Sequence, residues 1–520
     1  TVSGGTKANL ANVDTKTTQV ITVSDITDSI SNITDVENDA DLDLDNADIT
    51  ISGTISRSDY TLADGYNSAS GSVTFSTISD NYTNLNAMGS LLNGKTVTAT
   101  GQLTIAELTQ LQTYSAGSLS YNLTDSRSNL LAASDSKLQG AGTVTVNTDD
   151  TLSIANIAAL AAKDSGTDPT YTTITDTAAV LGTDNTNAAR MAGKTIVISD
   201  NATAAQYRQA LTNAGGATVS GAIVETSSAA LASGATLSNA TSVVLNVQSS
   251  DKDFTSTTFQ SEVTGFDLNG QTGVLFNIAD VDGKTITDSG SGGTYIISDT
   301  YDVIKDADED NGSNVATDAA KFVKLYGATE IQVTDYDATA NAGAGDDLSI
   351  IGNTAANQAV VAGTAGIDSI ATTDIKITLS SDTTITDAIG ANLATVTKVD
   401  LSGTDTDLTI ESDVLDGSAN EWSSLTTITG LGSTNSLIVT DVGDNANGFI
   451  DLYGLSTLTS IDSVTITGST GADIINLSPT LTESGKTTID LGSDTAADRI
   501  YFGISKNSLS STDTDNVLYT

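Results

Sequence analysis

Thr96-Val97-Thr98-Ala99-Thr100-Gly101-Gln102-Leu103-Thr104-Ile105-Ala106-Glu107-Leu108-Thr109-Gln110-Leu111 holds the plan of the N-terminal half of this chain. Thr alternates with small apolar residues over its first five positions, which is the period-2 pattern of a half-buried strand. Thr104 and Glu107 then stand three apart, so that a hydroxyl and a carboxylate close a capping box at a helix start. Ile105, Leu108 and Leu111 fall on one face of the helix that follows.

The phrase recurs on both sides: a Thr-rich extended run, a Ser/Thr-Asp turn, and a small apolar helix. It restarts at Ile49, Val73, Val97, Leu119, Val144, Thr172, Ile196, Val219 and Val243, in steps of 24, 24, 22, 25, 28, 24, 23 and 24 residues. Thr195-Ile196-Val197-Ile198-Ser199-Asp200 leads into Thr203-Ala204-Ala205-Gln206, and Val144-Thr145-Val146 leads into Ile154, Ile157 and Leu160. Gly94, Gly117, Gly140 and Gly215 read as helix terminators. A period of this length is one coil of a solenoid. One strand and one short helix per coil force consecutive strands to run parallel, with the helices on the opposite face. The competing reading is a set of unrelated strands and helices in two α/β domains.

Composition narrows the function classes. The 520 residues are 38% hydrophobic and only 4% aromatic, which suits thin stacked coils built from Val, Ile, Leu, Ala and Thr. The net charge is −45, and 56 of the 65 acidic residues are Asp. Asp is a turn, cap and calcium residue, whereas an acidic helical surface uses mostly Glu. With 20 basic residues, the chain is a poor partner for nucleic acid or for an anionic membrane surface. Cys and His are absent, which removes thiol and imidazole chemistry and leaves oxygen atoms as the metal ligands. No apolar run is long enough to predict membrane insertion. Thr1 opens the chain without Met or an apolar leader, and the ending from Asp515 to Thr520 reads like the middle of a strand pattern. Further chain at the flanks is the expectation.

Four segments follow. Residues 1–46, ending in the carboxylate ladder Asp39, Asp41, Asp43 and Asp45, read as a cap or linker. Residues 47–250 hold the coils, residues 251–341 an irregular β-rich junction, and residues 342–520 short Thr/Ile/Leu strands between Gly and Asp turns. The ladder is either an ion site or simply exposed, because like charges so close repel.

The sharpest local signal is Gly468-Ser469-Thr470-Gly471-Ala472-Asp473-Ile474-Ile475, which matches the calcium nonapeptide G-G-x-G-x-D-x-U-x with Ser469 in place of a Gly. Gly363-Thr364-Ala365-Gly366-Ile367-Asp368 fits the same frame, and Gly345-Asp346-Asp347 and Asp498-Arg499-Ile500 fit less well. On these residues the region from about 342 to 503 resembles the RTX, or hemolysin-type calcium-binding, family of bacterial proteins exported by type I secretion. The resemblance implies a calcium-type parallel β-solenoid, Asp368 and Asp473 as ligands within turns made by Gly363, Gly366, Gly468 and Gly471, and an extracellular address. Asp347 and Asp498 belong to the degenerate copies. A separate acidic loop, with Asp306, Asp308 and Asp310 at alternate positions, has the donors of an EF-hand but carries Thr317 where a bidentate Glu is expected. In each turn, Gly-x-Asp that merely rounds a corner is the alternative.

The expected fold is therefore mainly β with short helices, a repeat or solenoid architecture in which α/β coils of ~24 residues lead into the calcium-type β-solenoid. The expected function is a secreted structural subunit of a bacterial cell surface, a surface layer (S-layer) or filament, which self-associates with calcium as cofactor. Cell-surface polysaccharide is a further candidate partner. An adhesin that presents exposed aromatics, with Tyr60, Phe75, Tyr121 and Tyr207 as candidates, is the second reading. A β-helical polysaccharide-acting enzyme is the third, opposed by the lack of His and by a single Trp, Trp422. The chain is not expected to be an enzyme.

Overall fold

The computed structural model describes residues 1–304 except 68, 69, 184 and 233, and then 325, 327–337, 374–386, 393, 395–415, 422, 424–431, 434–442, 449–469, 471–483, 487–491, 498–502 and 517–518. The fold is mainly β, built from several parallel sheets with short helices. It divides into two compact units, residues 1–222 and 223–520.

In the first unit, the strands Asp25–Asp28, Asp48–Ile55, Val73–Asp80, Thr96–Leu103, Ser118–Asp125 and Ala141–Val146 lie side by side in sequence order, every neighbouring pair parallel. A helix follows most of them, including Ile30–Glu37, Arg57–Tyr66, Tyr82–Met88 and Ile105–Gln112. Val97 and Ala99 are buried while Thr96 and Thr100 face solvent, so the alternation in the quoted stretch sorts the strand's two faces. Thr104 caps its helix as the spacing predicts: its hydroxyl accepts from Glu107 N–H, and the Glu107 carboxylate accepts from Thr104 N–H at 2.8 Å. Ser56 with Asp59, Ser153 with Asn156 and Thr203 with Gln206 repeat the device. Leu108, Leu111, Ile157 and Leu160 are buried, and one continuous core joins Leu10 to Leu123.

The pattern begins upstream of Ile49. Residues 1–46 carry the helices Lys7–Asp14 and Ile30–Glu37, and the strand Asp25–Asp28 sets Asp25 against Asp48. The register is less even than the sequence period. Ile49 pairs with Val73 and Val97 with Leu119, as the restarts predict, but Val97 pairs on its other side with Ile78 and Val144 pairs with Leu123. Two register shifts within paired strands fall at glycines. Gly53 and Gly101 have φ of 86° and 83°, and the register shifts between Ile51 and Thr54 and between Thr98 and Gln102. A residue without Cβ tolerates that left-handed backbone and lets a strand bulge. Of the four glycines expected to end helices, Gly215 does so in the left-handed conformation, with φ 63°. Gly117 is small for another reason: a Cβ there would lie 2.8 Å from the Gly94 carbonyl oxygen one strand away.

In the second unit several parallel ladders interleave along the chain. One joins Ala240–Asn246, Gly265–Asp267 and Thr285–Thr287. A second runs from Val274–Phe276 through Tyr295–Asp299, Glu330–Val333, Asp374–Leu379, Val396–Leu401 and Thr427–Gly430 to Thr457–Thr459. A third joins Thr383–Ile385, Asp407–Glu411, Ser436–Val442, Ser463–Gly468 and Thr487–Asp490. Phe449–Leu452, Ile474–Leu477 and Arg499–Phe502 make a fourth. The stretch expected as an irregular junction thus contains parallel rungs of its own. Its core is aromatic, with Phe254, Phe266 and Phe276 fully buried and packed ring against ring. On the second ladder, Lys398 Nζ meets Glu330 at 2.6 Å and Asp374 at 2.8 Å, and Lys376 meets Asp400 at 2.8 Å, so charges link three adjacent strands.

Candidate cation sites and the aspartate clips

Most of the aspartates that can be followed in the first unit are engaged with backbone. The strand Ser118–Asp125 ends on Asp125, which is 6% exposed. Its Oδ1 accepts from Ser126 N–H at 2.7 Å and Asn129 Nδ2 at 2.8 Å, and its Oδ2 accepts from Ile105 N–H at 2.8 Å, one rung back. Ile105 is the first residue of its helix, where the N–H has no partner within the helix and the helix dipole is positive. The strand-end carboxylate therefore fastens its own turn to the preceding helix.

The same clip recurs. Asp28 takes Ser29 N–H, Asn32 Nδ2 and Lys7 N–H; Asp80 takes Asn81 N–H, Asn84 Nδ2 and Arg57 N–H. Asp176 holds Thr177 and Ile154, and in the second unit Asp299 holds Thr300 and Ile278. Lys7, Arg57, Ile154 and Ile278 each open a helix. Glu would overshoot this geometry by a methylene, which gives a physical reason for a chain so rich in Asp. The sequence carries the signal as Asp-Ser29-x-x-Asn32, Asp-Asn81-x-x-Asn84 and Asp-Ser126-x-x-Asn129, a pattern that by itself specifies only a turn.

Burial alone would push the Asp28 and Asp80 carboxyls up, but their hydrogen bonds from Asn side chains and backbone N–H groups outweigh it and hold both below the usual 3.8. Asp267 is held down in the same way, against its burial, by Ser289, Asn269 and Asn246. A carboxyl depressed in the folded state gives stability that is fully present above its unfolded value and is lost as pH falls towards its folded one. Denaturant midpoints should therefore hold steady above about pH 5 and fall as pH drops through about 4. A profile flat down to pH 3 would contradict the clips.

Among the expected calcium residues, the structure brings Asp473 and Asp498 together. They stand side by side on neighbouring rungs: Asp498 Oδ1 accepts from Asp473 N–H at 3.0 Å, and Arg499 N–H donates to the Asp473 carbonyl at 2.7 Å. Their 25-residue separation is one step of a ladder, in which Ile474 pairs with Arg499. Asp473 is fully buried, and its carboxylate accepts from Ser469 N–H and Ser469 Oγ, both at 3.2 Å, within its own turn. Gly471 N–H is held by the same Ser469 Oγ at 2.9 Å. A Cβ on Gly468 would lie 2.4 Å from Asp473 Oδ2 and 2.7 Å from Leu491 Cα, which is why that position carries no side chain. This hydrogen bonding is what a carboxylate that closes a corner makes. Asp306, Asp308, Asp310, Asp347, Gly363, Gly366 and Asp368 lie outside the described residues.

A second acidic group has the arrangement that could hold a metal ion. Asp14, at the end of the helix Lys7–Asp14, brings a carboxylate oxygen within 4.8 Å of ones from Asp39 and Asp41. Asp14 Oδ1 is shielded from solvent and takes no hydrogen bond. Burial first, then the charges of Asp39 and Asp41, pushes the Asp14 carboxyl up, and Glu37 nearby is pushed up by burial and by Asp45 and Asp43. Oxygen donors crowded against mutual repulsion are the donor set that calcium takes. The rest of the Asp39 to Asp45 ladder turns backbone: Asp39 accepts from Asp41 N–H at 3.2 Å and Asp43 from Asp45 N–H at 2.9 Å, with Leu42 and Leu44 buried between. The ladder supplies Asp39 and Asp41; Asp14 could not be assigned to it without the fold.

The aromatics proposed for a recognition face are core residues. Phe75, Tyr121 and Tyr207 are buried, and Tyr60 packs edge-on against Phe75 at 5.8 Å. Trp422 is 1% exposed and donates Nε1–H to the Val396 carbonyl at 2.8 Å, so it is not placed to stack on a sugar. No helix among the described residues is long and apolar enough to cross a membrane. No family model, no curated protein and no solved structure matches this chain.

Proposed function

We infer that this chain is a secreted structural subunit of a bacterial cell surface, a surface layer or an extracellular filament, whose self-association depends on calcium. In this reading both units are solenoids, the first of α/β coils and the second of the calcium type, exported by a type I route. One observation carries it: nearly every named strand pairs in parallel with a strand one repeat away, and aspartate clips tie helix starts to the next rung. Such stacking gives a stiff body with repeated surfaces, which suits lattice building better than chemistry. Calcium would act at crowded carboxylates such as Asp14, Asp39 and Asp41, where it relieves repulsion in a chain of net charge −45.

Electron microscopy of the purified protein with millimolar calcium, and again after chelation, tests this directly. Ordered arrays that dissolve on chelation are the expected result. A monomer indifferent to calcium and chelator would overturn it.

A further inference from the structure

Given that the chain self-associates, as inferred above, we propose that the open face of the first unit's sheet is the surface on which copies meet, each docking this face on the same face of a second copy.

The five strands from Asp48–Ile55 to Ala141–Val146 turn their apolar residues to the core and leave their other side to solvent. On that side Thr50 lies against Thr74, Thr98 against Ser120 and Thr124 against Thr145, so hydroxyls stand in ranks from strand to strand. The charged residues of these five strands are Asp48, Asp80 and Asp125, and each stands at a strand end. All three are turned to other work: Asp80 and Asp125 are clips, and Asp48 accepts from Ser72 N–H at 2.8 Å and Ser72 Oγ at 2.7 Å. In a chain with 65 acidic residues, a whole sheet face without charge is a marked exclusion. The second unit has no such rule, since Glu330, Lys376 and Lys398 sit at outward positions of its second ladder.

Charge decides where two copies can touch. Each carries −45, and like charges brought together cost several kcal/mol, so approach is least opposed where a face has none. A hydroxyl both donates and accepts, so a face of hydroxyls complements its own copy, whereas a face of carboxylates only accepts. The Thr50 and Thr74 hydroxyls bond each other at 2.9 Å, and each keeps acceptor capacity beyond that bond. Thr is also stiff at χ1, so ordering it at a contact costs little. Five strands at ~4.8 Å spacing and ~3.3 Å rise per residue cover roughly 500 Å². Two such faces together reach about 1,000 Å², which is enough for a specific contact.

The chain has no Cys, so a single introduced one reports contact cleanly. With a short bis-maleimide in millimolar calcium, Ser120→Cys on the face should give at least ten-fold more cross-linked dimer than Ala106→Cys, an exposed position on the helix Ile105–Gln112. Two double variants, Thr74→Asp with Ser120→Asp and Thr74→Lys with Ser120→Lys, alter exposed positions and leave the core intact. Each should weaken association at least ten-fold in sedimentation equilibrium, and an equal mixture of the two should restore it, which a loss of fold could not do. Arrays in which Ser120→Cys does not cross-link and the Asp variant assembles like wild type would overturn the proposal and leave the structural-subunit reading standing. Cross-linked dimers without arrays would support the face contact and count against the lattice. A chain that stays monomeric at every calcium concentration would overturn both. Retention of the wild-type chain on a neutral polysaccharide, with no dimer, would assign the face to a glycan and overturn the proposal as well.

Discussion

Trp422→Ala should cost about 3–5 kcal/mol of stability, the range for emptying a large aromatic site. The indole is fully buried, and beside it lies a cavity of about 190 Å³ lined by Ile410, Leu415, Leu437, Leu452 and Leu455. Removing the side chain joins its own volume to that space, and walls held in parallel ladders collapse only partly around it. The loss should come from packing more than from hydrogen bonding. The Val396 carbonyl that receives the indole N–H also accepts from Ser424 Oγ at 2.8 Å, so it keeps a partner. Trp422→Phe should therefore be much milder, near 1–2 kcal/mol. Urea unfolding followed by circular dichroism separates the two. Equal losses for Phe and Ala would mean that the hydrogen bond, and not the volume, holds this position.

Asp80→Ala should destabilise the first unit by about 2–3 kcal/mol, because it removes an ionised acceptor from three donors. Two of them, Arg57 N–H and Asn81 N–H, lie on different repeats, so the damage reaches both. Asp80→Asn keeps one carbonyl acceptor in place of two and should fall between wild type and Ala. Hydrogen exchange gives the local readout: the Arg57 and Asn81 amides should lose protection together. If Asp80→Ala left both the unfolding midpoint and these two amides unchanged, the clips would be incidental to the fold. The contrast with an ordinary surface ion pair is useful. The Lys163–Asp135 pair, at 3.1 Å with Asp135 largely exposed, should contribute little, since solvent screens it and the Lys163 bond to the Ala133 carbonyl, at 2.9 Å, does not need Asp135.

Much of the first unit was legible from local chemistry. Thr96–Thr100 alternates because a strand has two faces, and Thr104 with Glu107 caps because three residues span the first helical turn. Those are short-range rules, and the structure obeys them at Ser56, Ser153 and Thr203 as well. Register was less legible. Val97 lies against Ile78, 19 residues back, where the period would set it against Val73, and a period averaged over many repeats does not show such an offset.

The acidic residues divide along the same line. Their number, and the preference for Asp over Glu, are written in the sequence. What each carboxylate does is set by which N–H groups the neighbouring rung presents to it. Asp473 sits in a motif that resembles a calcium turn, and the fold adds that its carboxylate accepts from Ser469 N–H and that its own N–H is taken by Asp498, 25 residues on. Asp14 belongs to no motif, yet a helix end delivers it to Asp39 and Asp41. Asp280 reads as one more acid in a short turn, and only packing gives it a buried oxygen without a donor. The sequence by itself determined the elements, their repeat and the chemistry available, because those follow from neighbours a few residues apart. The tertiary structure alone decided which donors each carboxylate meets, because that depends on groups some 20 to 25 residues distant that come together only when one strand lies beside the next.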